Sequence, residues 1–233
     1  THPWIHGGRL LANKYADEFS TDFGYGGSFK AVDNSFHKQF GAAGVRSVRV
    51  EAQPGDITVT RADGDRISIN GERIAYGPSN QIAEERLRYV CLDAVQDGDV
   101  VRVVGSIWQP EPSSPNPAGP NGGFTNIVLR VPPGVAVYLQ TPAGKVALDG
   151  LTGTVEAHVD MGSIEARSIT GDLILRTSAG RISVTNAAIK EELSLTTSMG
   201  DIEFEGSLGA RNHVEVSAGR VQMTVPRSTC VRL

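Results

Sequence analysis

The sequence is poor in several features that mark particular classes of protein. Only 2 of its 233 residues are cysteines, so it can form at most one intrachain disulfide. It contains no run of 18 apolar residues, so no stretch of it is predicted to span a membrane. Its net charge is −4 and no basic stripe is visible, which argues against a nucleic-acid partner. These absences leave a globular or fibrous chain.

The two cysteines, Cys91 and Cys230, leave three interpretations open. They could be free buried thiols, an intrachain disulfide or an intermolecular disulfide. Runs of helix-favouring residues are also few, whereas the chain has 27 glycines and 12 prolines. This balance favours β-strands and turns.

Motifs for catalysis, cofactors and metals are missing as well. The sequence has no G-x-S-x-G, P-loop or dinucleotide fingerprint. Its five histidines show no metal spacing, and His2 and His6 are the only close pair. A calcium β-roll needs an aspartate in every nonapeptide, which this chain lacks. We therefore predict no cofactor, no metal and no catalytic site.

What the sequence does contain is a repeat. Glycine recurs nine residues apart, at Gly144, Gly153, Gly162, Gly171 and Gly180. Every second glycine belongs to one repeated unit, and the units TPAGKVAL, VDMGSIEA, TSAGRISV, TSMGDIEF and VSAGRVQM begin 18, 18, 20 and 19 residues apart. Self-similarity at such a short period indicates a solenoid. Glycine suits the corners, because it tolerates a positive φ.

Within each unit apolar and polar residues alternate, which is the pattern of a strand with one buried face. Two apolar columns follow the glycines: Val146, Ile164, Ile182, Ile202 and Val221, and then Leu148, Ala166, Val184, Phe204 and Met223. The residues between them are mostly polar. A second strand in each unit repeats the alternation. We therefore predict an all-β fold, a parallel β-solenoid with 18–20 residues per coil.

The N-terminal segment, residues 1–34, does not follow the repeat. Glycines and aromatic residues crowd there, and eight of the 14 aromatic residues of the chain lie in its first 44 positions. This arm could cap the first coil of its own chain, dock on another subunit or be a disordered tail. Docking is the interpretation that gives it a role in assembly.

The solenoid domain is predicted to occupy residues 35–233, with its first coil near residues 45–70. Residues 71–127 do not follow the repeat and are predicted to be an irregular insertion. A β-hairpin is predicted around Asp97-Gly98-Asp99, followed by a Pro-rich loop at residues 110–123. We interpret this loop as a surface excursion, although long loops also contact ligands.

The end of the chain repeats an earlier stretch. VPRSTCVRL at residues 225–233 aligns with VPPGVAVYL at residues 131–139, where the next corner follows. We expect an open last coil, whose unpaired backbone groups recruit a partner strand. The predicted assembly interface therefore joins both ends of the chain and comprises Trp4, Phe19, Phe23, Tyr25, Phe29, Cys230, Val231 and Leu233.

The units T-S-x-G-[DR]-I-x-[VF], the earlier PGDITV followed by ADGD, and VPPG before the regular coils resemble the putative-adhesin family of bacterial β-strand-repeat proteins. The likeness covers about residues 35–233. It implies a right-handed β-helical stack in the cell envelope or outside the cell, an adhesin-like role and no catalytic residues. Some members accompany membrane-bound signalling systems. The aromatic arm departs from the family pattern.

Parallel β-helices also include polysaccharide-active enzymes, whose carboxylates cluster on one outer face. Here Glu165 and Glu203 share an outward column with Ser183 between them, which we interpret as a solvated face. Asp172 and Asp201 follow glycines and are typical of corner turns.

We therefore predict a non-enzymatic, extracellular or envelope structural protein that self-assembles head to tail into filaments, with a cell-surface glycan or protein as a further partner. The alternatives are a sensor or ligand-binding domain of an envelope stress system and a polysaccharide-active enzyme.

Overall fold

The computed structural model describes residues 29–107 and 123–226 of the chain. This part forms sixteen strands and one helix, α1 (Asn80–Leu87). The strands are β1 (Phe29–Gly41), β2 (Ser47–Glu51), β3 (Ile57–Arg61), β4 (Arg66–Gly77), β5 (Val90–Asp97), β6 (Val100–Ile107), β7 (Gly123–Val131), β8 (Ala136–Ala143), β9 (Val146–Asp149), β10 (Thr152–Met161), β11 (Ile164–Arg167), β12 (Thr170–Ala179), β13 (Ile182–Met199), β14 (Ile202–Ser207), β15 (Arg211–Ala218) and β16 (Val221–Thr224). No helix in these ranges is long and apolar enough to cross a membrane.

The strands form the two faces of a solenoid. Face A contains, in spatial order, β5, β6, β2, β8, β10, β12, the second half of β13 and β15. Face B contains β1, β4, β7, β3, β9, β11, the first half of β13, β14 and β16. From β8 to β16 the chain alternates between the faces through five consecutive coils. The predicted all-β solenoid is thus confirmed.

The register of the coils places like residues beside each other, as the repeat predicts. Ile164 pairs with Val146 on one side and Ile182 on the other, and the column continues to Ile202 and Val221. The first four of these side chains are fully buried. Aliphatic residues stacked at every turn form one continuous core along the solenoid.

The one coil of 20 residues keeps its core in register by means of bulges. The pairing shifts between Val184 and Ala187 on β13 and between Gly171 and Leu173 on β12. Asn186 lies at the corner with φ of 54°, a conformation that asparagine tolerates better than most residues. The two extra residues lie within β13 between Ile189 and Leu193, since Ile189 pairs with Gly171 and Leu193 pairs with Leu173. Residues 190–192 there are not buried, so the buried columns stay in register.

The corner glycines are required by close packing between coils. Gly200 has φ of 137°, and a Cβ atom on it would collide with the carbonyl oxygen of Gly180. Gly180 stands in the same relation to Gly162, and Gly162 to Gly144. The repeated glycine therefore marks the place where successive coils approach too closely for any side chain.

The order of the coils in space differs from their order along the chain. Strand β2 lies between β6 and β8, and β3 lies between β7 and β9. The coil predicted near residues 45–70 is therefore second in the stack. The outermost coil is formed by β6 and β7, which belong to the stretch predicted as an irregular insertion. The turn at Asp63-Gly64-Asp65 joins two strands of face B, β3 and β4, which do not pair with each other because β7 lies between them.

Antiparallel strands complete this N-terminal end of the stack. Strands β5 and β6 form the hairpin predicted around Asp97-Gly98-Asp99, while β4 pairs with β7 and β1 pairs with β4. Helix α1, which the sequence pattern did not indicate, packs against β4 and β1. Its N-terminus is capped by the Ser79 hydroxyl, which accepts a hydrogen bond from the Ile82 N–H at 3.3 Å.

Candidate functional site: the two ends of the stack and a corner pocket

Most of the predicted assembly interface falls outside the described residues. This holds for Trp4, Phe19, Phe23, Tyr25, Cys230, Val231 and Leu233. Phe29 begins β1, so residues 29–34 of the predicted arm are a strand, and its side chain is 46% exposed. The described residues at the two ends of the stack belong to β1 and β5 at one end and to β15 and β16 at the other.

The C-terminal coil exposes its apolar column. Val221 is 44% exposed and Met223 is 39% exposed, whereas their neighbours in the preceding coil, Ile202 and Phe204, are buried. Within the described part of the chain, β15 pairs with β13 alone and β16 pairs with β14 alone. One edge of each strand therefore carries backbone N–H and C=O groups without a ladder partner among these residues.

The N-terminal end is closed by side chains of β1 and β5. Phe36 and Phe40 of β1 pack against the core, and Lys38 lies between them on the same face of the strand. The ammonium group of Lys38 donates hydrogen bonds to Asp93 Oδ1 at 2.6 Å and to the carbonyl oxygen of Ala94 at 2.7 Å. This bridge joins face B to face A, so the two ends of the stack differ.

Two carboxylates at the closed end are held in their charged form. The hydrogen bond from Lys38, together with one from the Ala94 N–H, lowers the pKa of Asp93. Hydrogen bonds from the hydroxyl and N–H groups of Ser35, and then the guanidinium of Arg73, lower the pKa of Asp33 to about 2. Both groups remain ionised at neutral pH and support the ion pairs of the cap.

The outward Glu165 of face B has two cationic neighbours. Glu165, Ser183 and Glu203 are successive members of one column, as the sequence predicts. The Glu165 carboxylate lies 2.8 Å from Lys145 Nζ and 3.7 Å from an Arg167 nitrogen. One of its oxygens is therefore engaged by the preceding coil and the other by Arg167 of the same strand, which is the arrangement of a structural ion pair.

The aspartates after the corner glycines bind the backbone of the next coil. Asp201 Oδ1 accepts a hydrogen bond from the Arg220 N–H at 2.9 Å, and Asp172 Oδ1 accepts one from the Glu191 N–H at 3.1 Å. Asp56 does the same for the Lys145 N–H at 2.8 Å. In the described ranges, no group of three or more His, Cys, Asp or Glu side chains could hold a metal ion.

A pocket of about 320 Å³ lies at a corner of face A, near the end of β6. Its polar lining comprises Glu51, Gln53, Ser106, Gln140 and Asp160, which come from four different coils. The repeat pattern did not indicate this pocket, because its lining residues from different coils are far apart in sequence. The one feature of the sequence that pointed to the pocket was the outward position of these polar residues on their strands.

These observations define the class of the protein, a β-solenoid with one closed end, one end with exposed apolar residues and a polar corner pocket. No family model and no curated protein matches the chain. It is similar in structure to a putative cell adhesion protein from Clostridium sporogenes, with 10% identity, 85% of this chain and 100% of that chain covered, and a TM-score of 0.41.

Two further solved structures are similar to the chain. A putative adhesin from Bacteroides fragilis has 10% identity, with 84% of this chain and 96% of that chain covered and a TM-score of 0.32. A putative adhesin from Parabacteroides merdae has 11% identity, with 88% and 98% covered and a TM-score of 0.22. The solenoid fold itself follows from the strand pairing of this chain.

Proposed function

We propose that the protein is a structural, adhesin-like β-solenoid of the cell envelope or the extracellular space, and that copies of it join end to end. The observation that carries the proposal is the exposure of Val221 and Met223 in a column that is buried in the four preceding coils. Exposed apolar side chains beside unpaired strand edges favour association with another strand.

The two ends of each face offer matching partners. Face A ends in β5 and β15, which are 8 residues long each, and face B ends in β1 and β16. If β15 and β16 of one copy lay against β5 and β1 of the next, both faces would continue from copy to copy. Backbone hydrogen bonds would supply the affinity, as in other cases of strand addition.

The contact joins two different surfaces. The N-terminal end carries the Lys38–Asp93 bridge, whereas the C-terminal coil exposes Val221 and Met223. A contact between unlike ends does not close on itself, so it produces a filament. Phe29 and Val32, both more than two-fifths exposed on β1, supply apolar area on the receiving side.

A non-enzymatic role fits the outer faces. Glu165, one of the two carboxylates that could have served in glycan hydrolysis, is held by Lys145 and Arg167. The aspartates Asp172 and Asp201 hold backbone N–H groups of the next coil. These contacts stabilise the stack, which is a structural reason for carboxylates at these positions. An adhesin-like role is also what the resemblance of the repeat motif implies.

Light scattering and negative-stain images test the assembly. The double variant Val221→Lys, Met223→Lys places two charges on the exposed column and is expected to give monomers. A chain without residues 1–30 is expected to assemble more weakly, because the predicted arm residues Trp4, Phe19, Phe23, Tyr25 and Phe29 are lost.

The matched control is the double variant Met161→Lys, Met199→Lys. These methionines are 62% and 61% exposed at a corner and not at an end of the stack. It is expected to assemble like the wild type. Filaments of unchanged length from Val221→Lys, Met223→Lys, or a wild type that is monomeric at high concentration, would contradict the proposal.

A further inference from the structure

We propose that the corner pocket of face A binds an uncharged pyranose unit of a glycan. Its polar lining is formed by Glu51, Gln53, Ser106, Gln140 and Asp160. A glycan ligand would give the proposed adhesin-like protein a binding target. The proposal rests on that function only for its biological setting. The geometry and chemistry of the pocket carry it.

The pocket lies at the corner next to the end of β6. In the regular coils a short corner leads from face A directly to face B, as between β8 and β9. In the outermost coil the chain leaves β6 at Ile107 and joins β7 only at Gly123. The adjacent corner, with Ala52 and Gln53, therefore lines a cleft together with the end of β6.

The polar side chains of the pocket are available to a ligand. Those of Glu51, Gln53, Ser106 and Gln140 make no hydrogen bond or ion pair with any residue that the structure describes. Asp160 is paired with His158 at 3.1 Å, and its second oxygen is left for other contacts.

These side chains match the hydroxyl groups of a sugar. Each glutamine amide offers two donors and one acceptor, and each carboxylate accepts from two neighbouring hydroxyl groups. Such bonds to charged acceptors are stronger than bonds between neutral groups. Ala52, Val104 and Pro142 add apolar contacts for the C–H groups of the ring. Concave sites with a few placed polar groups are typical of small-ligand binding.

The charge of the lining selects against acidic sugars. Among the described residues that line the pocket there is no lysine or arginine, and the two ionisable ones, Glu51 and Asp160, are acids. Arg49, two residues before Glu51 on β2, stacks on the Tyr138 ring with 4.5 Å between the guanidinium carbon and the ring centroid. A uronic acid would bring its carboxylate next to two others without a compensating cation.

The size of the pocket fits one sugar unit. A volume of about 320 Å³ is at the lower end of the range of about 300–1,000 Å³ for small-molecule sites. The pocket is open to solvent and therefore leaves the rest of a glycan chain outside. A dissociation constant on the order of 1 mM is expected for a single unit.

Titration of the Val221→Lys, Met223→Lys variant tests the site apart from assembly, because that variant is expected to be monomeric. The probes are the methyl glycosides of glucose, galactose and mannose, with glucuronic acid as the acidic counterpart, followed by saturation-transfer NMR and calorimetry. At least one methyl glycoside is expected to bind at millimolar concentration, and glucuronic acid at least tenfold more weakly.

Two variants in that background localise the binding. Ser106→Trp fills the pocket from a half-buried position, and Gln53→Ala with Gln140→Ala removes both amides. Each is expected to weaken binding at least tenfold. Thr196→Trp, an outward position at the other end of face A, is expected to leave it unchanged.

The proposal is overturned if none of the methyl glycosides binds, if glucuronic acid binds as tightly as they do, or if binding survives in Ser106→Trp. None of these results depends on whether the wild type forms filaments. Assembly without sugar binding would retain the proposed function and remove this site.

Discussion

The hydroxyl group of Thr197 lies between two carbonyl oxygens as a shared donor, with that of Gly180 in the preceding coil at 3.4 Å and that of Met199 in its own coil at 3.3 Å. Thr177 has the same relation to Gly162, at 3.3 Å. In these two units the threonine contacts the glycine of the preceding unit, whereas Thr141 contacts the carbonyl oxygen of Gln53 at 3.4 Å. The glycine lets the backbones approach, and the threonine of the next unit binds the carbonyl group that this approach places in the corner.

Removing this hydroxyl group should weaken the stack measurably. Thr197→Val keeps the shape of a fully buried side chain, and Val216 occupies the equivalent position in the next coil. The free energy of unfolding is expected to fall by about 1 kcal/mol, because the Gly180 carbonyl group loses its donor. Urea unfolding followed by circular dichroism measures the change. An unchanged or higher stability would show that the bond contributes nothing.

A methyl group at a corner glycine should be far more costly. Gly200→Ala places a Cβ atom against the carbonyl oxygen of Gly180 at a φ of 137°, so the coils must separate. We expect a loss of more than about 3 kcal/mol in the free energy of unfolding. Gly64→Ala is the control, since nothing lies within 4 Å of its added Cβ atom. Equal effects of the two substitutions would contradict the proposed role of the corner glycines.

Replacing Asp56 by asparagine should stabilise the protein at neutral pH. Burial raises the pKa of Asp56, so the folded chain binds this proton more tightly than the unfolded chain does. The charged carboxylate consequently destabilises the fold above its raised pKa. Asp56 Oδ1 accepts the Lys145 N–H at 2.8 Å, and the amide oxygen of an asparagine can accept the same hydrogen bond. Asp56→Asn is expected to gain on the order of 1 kcal/mol at pH 7.

The pH dependence of that gain identifies its cause. As the pH falls through the raised pKa toward about 3.9, the ordinary value, Asp56 of the wild type becomes protonated and neutral. The difference in the free energy of unfolding between the wild type and Asp56→Asn should then disappear. The control is Asp201→Asn, whose carboxylate accepts the Arg220 N–H and lies 3.8 Å from an Arg181 nitrogen. It should show no gain. A benefit of Asp56→Asn that grows toward acid pH would refute this account.

The cap should lose part of its acid resistance in Ser35→Ala. The hydroxyl group of Ser35 is the largest cause of the low pKa of Asp33, about 2, and the Ser35 N–H and Arg73 add to it. Removing the hydroxyl group is expected to raise this pKa toward about 3.9. Carboxyl carbon chemical shifts in an NMR titration measure it directly, and Asn34→Ala is the control. A pKa that stays near 2 would assign the shift to the Ser35 N–H and Arg73 without the hydroxyl group.

The contribution of Asp33 to the free energy of unfolding changes with pH in the opposite direction from that of Asp56. Because the folded pKa of Asp33 lies below its unfolded value, its contribution to stability is present above about pH 3.9 and is lost as the pH falls toward 2. In Ser35→Ala this contribution should be smaller throughout. Thermal unfolding between pH 2 and pH 6 checks the direction.

The repeated part of the fold was accessible from the pattern of residues. Ile164 and Ile182 could be placed in one column because each coil pairs with its neighbours in the chain at a nearly constant offset. The hairpin at Asp97-Gly98-Asp99 was accessible for the same reason, since its two strands are adjacent in sequence. Such local relationships leave a periodic or turn signal.

The candidate sites could be predicted from the sequence only in part. The exposed column at Val221 and Met223 extends a predicted column, but its exposure depends on which coil is last in space. The closing of the other end by Lys38 and Asp93 left no signal, because the two residues lie on different strands of different faces. The pocket at Gln53 and Ser106 likewise depends on a neighbour relation between distant segments.

Alternation and the glycine spacing by themselves determined that this chain is a β-solenoid, which side chains face its core and where its corners lie. The reason is that every coil buries the apolar face of its strands in the same way, so the same pattern recurs along the chain. Only the tertiary structure decided that β6 and β7 lie outside β2 and β3 and that β1 and β5 close that end. Those pairings join segments without a common period, and the free energy of long-range contacts selects them.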